Sequence, residues 1–265
     1  VPDQASILER ILAAKRAEVA ALKRAGRAGE LRRLAEAAPA GRDFLAALRR
    51  CPGPAVIAEI KKASPSSGRL GDGLEAAELA RCYRAGGAAA LSVLTDGPYF
   101  NGSLDDLVQA RRAVDLPVLR KDFIIDPVQL HQARAAGADA VLLIAAALEP
   151  ELLAGLYAEA RGLGLCPLIE VHARVELEPV LRLEPEVVGL NNRNLADLSV
   201  SLETSLRLRP FLPAGVLAVS ESGIREPQDV ARLRAGGLDA FLIGTALVRS
   251  ADPTAALRRL IGAEA

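Results

Sequence analysis

The chain has 265 residues, 51% of them hydrophobic, and carries 33 Lys and Arg against 33 Asp and Glu, so it has neither a global basic field for nucleic acid nor an acidic tail. Three cysteines, Cys51, Cys82 and Cys166, lie far apart in no metal-ligand spacing, and two histidines argue against a multi-histidine metal site, which together fit a reducing, cytoplasmic setting. The first twenty residues are charged throughout, unlike the apolar core of a signal peptide, and the longest apolar run, Ala140 to Leu148, is too short to span a bilayer, so no membrane association is expected.

From Ser6 to about Arg24, Ile7, Ile11, Ala14, Val19 and Leu22 recur at helical intervals, and Ser6 with Glu9 has the spacing of a capping box. An amphipathic helix is predicted there. Two shorter helices, 30–38 and 43–49, end at Pro39 and at Pro52-Gly53-Pro54. Residues 1–52 thus read as an N-terminal helical extension of a chain, 1–265, that forms one domain.

From Ala55 short β-branched or leucine-rich runs alternate with helical stretches, the pattern of βα units around a parallel sheet. Strands are predicted at 55–61, 88–94, 117–121, 139–144, 166–171, 187–190, 215–220 and 239–243. Helices fall at 74–85, 103–113, 127–136, 149–163, 173–182, 201–208, 226–235 and 253–262. An internal echo places Gly87, Gly137 and Gly237 at helix-to-strand junctions, 50 and 100 residues apart, while a fourth copy near 187 is replaced by Glu184-Pro185-Glu186. This α/β pattern predicts a (β/α)8 TIM barrel, with an open doubly wound sheet as the alternative.

In such a barrel the chemistry sits at the C-terminal strand ends. The first strand ends in Glu59 and Lys61, two apart and so on one face, before the loop Ser64-Pro65-Ser66-Ser67-Gly68. Taken alone, that stretch reads equally well as a strand end closed by a salt bridge and a turn. The third strand delivers Lys121-Asp122-Phe123, the fifth Glu170 and then His172, the sixth Asn191 to Asn194, the seventh Glu221-Ser222-Gly223 and the eighth Gly244-Thr245. Lysines, carboxylates and an Asn–Arg pair converging on one rim are hard to explain by folding alone. Asp122 is out of phase with Lys121 and reads as supporting structure, as do Lys62 and Arg120. Glu221 is ambiguous, and His131 reads as a surface residue. Ser222-Gly223 and Gly244-Thr245 have the form of a barrel phosphate site made of backbone amides.

These blocks resemble the indole-3-glycerol phosphate synthase family. The likeness covers essentially the whole chain and rests on Ala58 to Ser66, Leu94-Thr95-Asp96 with Tyr99 to Ser103, Leu119 to Phe123, Ile169 to His172, Gly189 to Leu195 and Ser220 to Ile224. It implies ring closure, decarboxylation and dehydration of 1-(2-carboxyphenylamino)-1-deoxyribulose 5-phosphate to indole-3-glycerol phosphate, without metal or organic cofactor. It implies Lys121 as the acid for ring closure, a role that suits a lysine at neutral pH particularly if neighbouring cations and burial lower its pKa, and Glu59 with Lys61 as the dehydration pair. Glu170 is then either the principal base or the stabiliser of a cationic intermediate. Asn191 and Arg193 would orient substrate, with Ser64, Pro65, Ser66, Glu221 and Ser222 as further contacts, while Phe100, Phe123, Leu142 and Leu195 would form an apolar wall. The extension would cover the barrel mouth.

Two other readings compete. Phosphoribosylanthranilate isomerase shares the fold and phosphate site but works with a cysteine and an aspartate, and here no thiol lies near Glu59 and Lys61. A silent barrel that only binds a phosphorylated ligand would not need so many costly rim charges. The expected partner is a phosphorylated small molecule, and the expected state a monomer, with an oligomer left open.

Overall fold

The computed structural model describes residues 6–65, 68–70, 75–195 and 197–263; Ser66, one of the expected substrate contacts, lies outside them. Among these residues eight parallel strands pair in sequence order: β1 Ala55–Ile60, β2 Ala90–Leu94, β3 Val118–Lys121, β4 Ala140–Ile144, β5 Cys166–Val171, β6 Val187–Asn191, β7 Leu217–Glu221 and β8 Ala240–Ile243. Pairing of β8 with β1, Ala55 opposite Ala240, closes the sheet into a (β/α)8 barrel and excludes the open doubly wound alternative.

The period of two along each strand sorts the side chains. Val56, Val118, Val141, Ile169 and Ala218 face outward into the layer shared with the helices. Ile57, Leu119, Leu168, Val219 and Leu242 face inward and fill the barrel. Two residues further along, the same inward face carries Glu59, Lys121, Glu170, Glu221 and Gly244. Strand parity alone therefore aims the charged set into the mouth.

The helix-to-strand junctions explain the partial echo. Gly87, Gly137 and Gly237 each take a left-handed conformation, φ 93°, 87° and 86°, three residues before a strand begins. Before β6 the same place is held by Glu184 at φ 50°. The fourth copy keeps the turn and forgoes the residue that suits it. Asp139 and Asp239, also part of the echo, accept the backbone N–H groups of Val118 and Ala218 at 2.8 Å, tying each unit to the start of the preceding strand.

The extension closes both ends of the barrel. Helix α1, Ile7–Arg24, starts with the expected Ser6–Glu9 capping box; α2 is Ala28–Glu36 and α3 is Phe44–Arg49. Phe44, Leu45 and Leu48 of α3 join the interior cluster at its lower end. At the other end α1 buries Lys15, whose ammonium lies 2.9 Å from Asp122 and 3.1 Å from Asp96. Asp122 also pairs with Arg120 at 2.9 Å and accepts from the Thr95 hydroxyl at 2.5 Å. The out-of-phase Arg120 and Asp122 thus belong to a buried ion-pair network that holds α1 against the barrel.

Some boundaries move. The first strand stops at Ile60, leaving Lys61 just beyond it, and the helix predicted from 74 runs Ala76–Gly86 in the described residues. The stretch expected as a plain loop after Lys61 has paired flanks, Ala63–Ser64 antiparallel to Gly68–Arg69. Serine and proline content gave no sign of that short pairing.

Burial pulls the Lys15 ammonium down, but Asp122, Glu18 and Asp96 outweigh it and hold it above its ordinary value. Burial pushes Asp122 up, and Arg120 with Lys15 overcomes this and holds it well below the usual carboxylate range. The raised Lys15 stabilises in full below its unfolded pKa and the depressed Asp122 above its own, so the pair contributes fully at neutral pH. Lys15→Met should destabilise the fold by about 3–5 kcal/mol at pH 7. Urea unfolding will show that loss, and the gap to the unsubstituted chain should narrow below about pH 4 as Asp122 is protonated.

Candidate active site

The inward charges at the mouth come from alternate strands: Glu59 from β1, Lys121 from β3, Glu170 from β5 and Glu221 from β7. Lys121 Nζ sits 3.0 Å from Glu170 Oε2 and 3.0 Å from Glu221 Oε2. Lys61 turns back onto Glu59, Nζ to Oε2 2.5 Å. His172 Nε2 lies 3.2 Å from Glu170 Oε1, close enough to pair in charge though not aligned as a hydrogen bond. Glu59, Glu170 and Glu221 are all buried, so these charges interact with little screening by water.

Burial and partners set the ionisation. For Lys121 burial alone lowers the pKa, but Glu170, Glu221 and Glu59 outweigh it and raise it above the ordinary lysine value. The expectation that neighbouring cations would lower it is overturned, because its neighbours are carboxylates. Glu170 is pushed up by burial and pulled further down by Lys121 and His172, so it stays ionised. Glu221 is raised to about 8 by burial and by the charge of Glu170, against the pull of Lys121. Two carboxylates sharing one ammonium titrate as a pair, so the first proton taken up belongs to the pair rather than to either residue.

A cavity of about 600 Å³ opens above these groups. Glu59, Lys61, Lys121, Glu170 and Asn191 all line it, as do Ser64, Pro65, Arg193, Glu221 and Ser222. Phe100, Phe123, Leu142 and Leu195 also border the cavity, with the two phenyl rings 6.0 Å apart. On the far side lie Gly223, Gly244 and Thr245. Ser222 and Gly223 both take positive φ, 67° and 86°, which bends the chain after β7 around that corner. Asn191 accepts the Arg193 N–H at 3.0 Å, and the Arg193 guanidinium donates to the Leu198 carbonyl at 3.0 Å, which fixes the loop after β6. Burial draws the Arg193 pKa down, with Glu59 opposing.

A model of the indole-3-glycerol phosphate synthase family matches residues 8–260. The indole-3-glycerol phosphate synthase of Laribacter hongkongensis (strain HLHK9) is 51% identical over 258 residues, covering 96% of this chain and 98% of the relative. That of Verminephrobacter eiseniae (strain EF01-2) is 52% identical, with 96% and 98% covered. The chain belongs to the indole-3-glycerol phosphate synthase family. It is a carboxy-lyase of tryptophan biosynthesis acting on a phosphorylated small molecule. Among solved structures, a 3-hexulose-6-phosphate synthase superposes with a TM-score of 0.61 at 18% identity, covering 80% of this chain and all of that one, a likeness of fold alone.

Within this synthase, several cavity residues escaped sequence reasoning. Ile7, Leu8 and Ile11 reach the mouth from α1, and Arg225 and Arg249 border the corner near Gly223 and Gly244. The α1 residues carried a signal, since an amphipathic helix ahead of a barrel must bury its apolar face somewhere. The two arginines carried none, because Arg225 sits in the loop after β7 and Arg249 in the turn that ends the short helix after β8, and exposed charges at such places look alike in sequence. No described helix is long and apolar enough to cross a membrane.

His172 offers a direct check of the electrostatics. Burial lowers its pKa, but Glu170 and Glu176 more than reverse this and raise it to about 10. A raised group stabilises in full below its unfolded pKa, so this pairing is complete below about pH 6.5 and is lost as pH rises through about 10. Imidazole resonances followed by NMR should show His172 still protonated at pH 8. A midpoint near 6.5 would contradict the described pairing.

Proposed function

We propose that Lys121 is the general acid for ring closure, that Glu59 and Lys61 carry out the dehydration, and that Glu170 balances the positive charge formed between those steps. The observation that supports this reading is the sharing of one buried ammonium by carboxylates from alternate strands, directly beneath an aromatic wall. The aminobenzoate ring packs against Phe100, Phe123, Leu142 and Leu195, and the phosphate lies against the amides of Ser222-Gly223 and Gly244-Thr245. Ser64, Pro65, Asn191 and Arg193 hold the sugar and carboxylate between those two ends.

In the first step the ring carbon bearing the carboxylate attacks the ribulose carbonyl, and the carbonyl oxygen takes a proton from Lys121. A lysine with a raised pKa is a weak acid in water, yet an alkoxide is a far stronger base than an amine, so transfer at that oxygen is downhill. Glu221, which burial and Glu170 hold above the usual carboxylate range, is placed to return a proton to Lys121. Carbon dioxide then leaves from the same ring carbon and the bonding pair restores the conjugated ring. The cation present before that loss is met by Glu170, which stays ionised. Finally Glu59 removes a proton while Lys61 protonates the departing hydroxyl, and water leaves. Both Glu170 oxygens are already engaged, by Lys121 and by His172, whereas Glu59 is engaged by Lys61 through one oxygen, which favours Glu59 as the acceptor.

All the described residues of this constellation line one cavity at the mouth of one barrel, which supports a site complete within a single domain. Incubation with the carboxyphenylamino-deoxyribulose phosphate in EDTA should yield indole absorbance and carbon dioxide together; no product, or restoration only by added metal, would refute the reading. Lys121→Ala should lower kcat by about 10²–10⁴-fold or more while inorganic phosphate still binds. Glu59→Gln should release carbon dioxide but stall before the indole absorbance develops. Loss of carbon dioxide release in that variant would move Glu59 to an earlier step.

A further inference from the structure

Glu221 can hold Lys121 only because something beside it is missing. Its Oε2 lies 3.0 Å from Lys121 Nζ, while its other oxygen, Oε1, is buried and meets no hydrogen-bond partner among the described residues. That second oxygen occupies the place where residue 189 would carry a Cβ: a methyl built on Gly189 comes within 2.1 Å of it and 3.2 Å of the carboxyl carbon. The next atom, Leu168 Cδ1 at 3.6 Å, is in ordinary contact. The space is therefore closed to a side chain by Glu221 alone.

Gly189 lies in the interior of β6, opposite Glu170 on one side and Val219 on the other, between the strands that supply the two carboxylates. A glycine in a buried strand weakens it, through chain entropy and the lack of a side chain to pack. The backbone here does not require one, because Gly189 is not among the residues of positive φ. What the glycine supplies is room at one point. The same arrangement recurs between β8 and β1, where a Cβ on Gly244 would fall 2.1 Å from Glu59 Oε2. Gly244 also borders the phosphate corner, so Gly189 is the position where the effect stands alone.

We propose that Gly189 is a positioning residue of the active site: its missing side chain leaves the space into which Glu221 folds its carboxyl group to reach Lys121. The proposal rests on the reading of Glu221 and Lys121 as parts of the catalytic machinery. Any side chain at 189 drives Glu221 off the ammonium and leaves Lys121 to Glu170.

The test is a cycle of Gly189→Ala, Glu221→Ala and the double variant, each assayed for kcat, KM and thermal unfolding. Misplacing a catalytic group by about 1 Å costs on the order of 10²-fold, so Gly189→Ala should lose about that in kcat with KM little changed. In the Glu221→Ala background the same substitution should cost nothing further, because its only close neighbour is gone. There it should also raise the melting temperature, as expected for alanine replacing glycine in an unstrained strand. Equal losses in both backgrounds, or full activity of Gly189→Ala beside an impaired Glu221→Ala, would overturn the proposal alone. A fully active Glu221→Ala would overturn the reading of Glu221 and the proposal with it. Should Gly189→Ala fail to fold, the double variant still decides: folding there supports the proposal, and failure there overturns it.

Discussion

One buried ammonium governs the barrel mouth. Lys121 stands between Glu170 and Glu221, and the ionisation of all three follows from that contact. Without the lysine, two buried carboxylates would repel each other in a medium that screens poorly, and at least one would take up a proton. With it, Glu170 stays charged, while burial and the charge of Glu170 still raise Glu221 against the pull of Lys121, so two chemically identical groups acquire different properties from position alone. His172 reinforces the split by placing a second positive charge on the Glu170 side only.

The second network, around Asp122, solves a different problem. An N-terminal helix laid across a barrel mouth gains little from surface ion pairs, which are screened and mobile. Burying Lys15 between Asp96 and Asp122, with Arg120 on the other side of Asp122, makes the contact strong and specific in register. Residues 120 to 122 serve both networks at once. Lys121 reaches into the barrel toward Glu170 and Glu221, while Arg120 and Asp122 belong to the network around Lys15, so a single strand end fixes the shared ammonium and the cover above it.

The barrel was legible because its signals are local and repeated. Each strand is a short apolar run, each junction has a turn residue, and the spacing of Gly87, Gly137 and Gly237 counted the units. Phase within the strands also separated Lys121 from Asp122 before any coordinates. What the chain did not reveal were relations between distant positions. Nothing in the helical pattern of α1 marked Lys15 as the buried one among its charges, and the sign of the Lys121 shift depended on which neighbours folded against it. Glu184 hid the fourth junction because the same backbone turn was made by an unfavoured residue type.

Glycines 189 and 244 were hidden in another way, since their contribution is a volume that another residue's carboxylate fills. This places a constraint on the fold as a whole. A core of apolar side chains in the upper barrel would be simpler to stabilise than buried charges that must all be paired, and strands without interior glycines would be stiffer. The lower layers follow that rule, with Ile57, Leu119, Leu168 and Val219 packed across the interior. Only the last inward positions depart from it, where each carboxylate faces a cation and two of them, Glu59 and Glu221, lie in the gap left by a glycine. The barrel is therefore an ordinary packed core up to one layer below its mouth, and the departures from good packing above that layer coincide with the groups assigned to the chemistry.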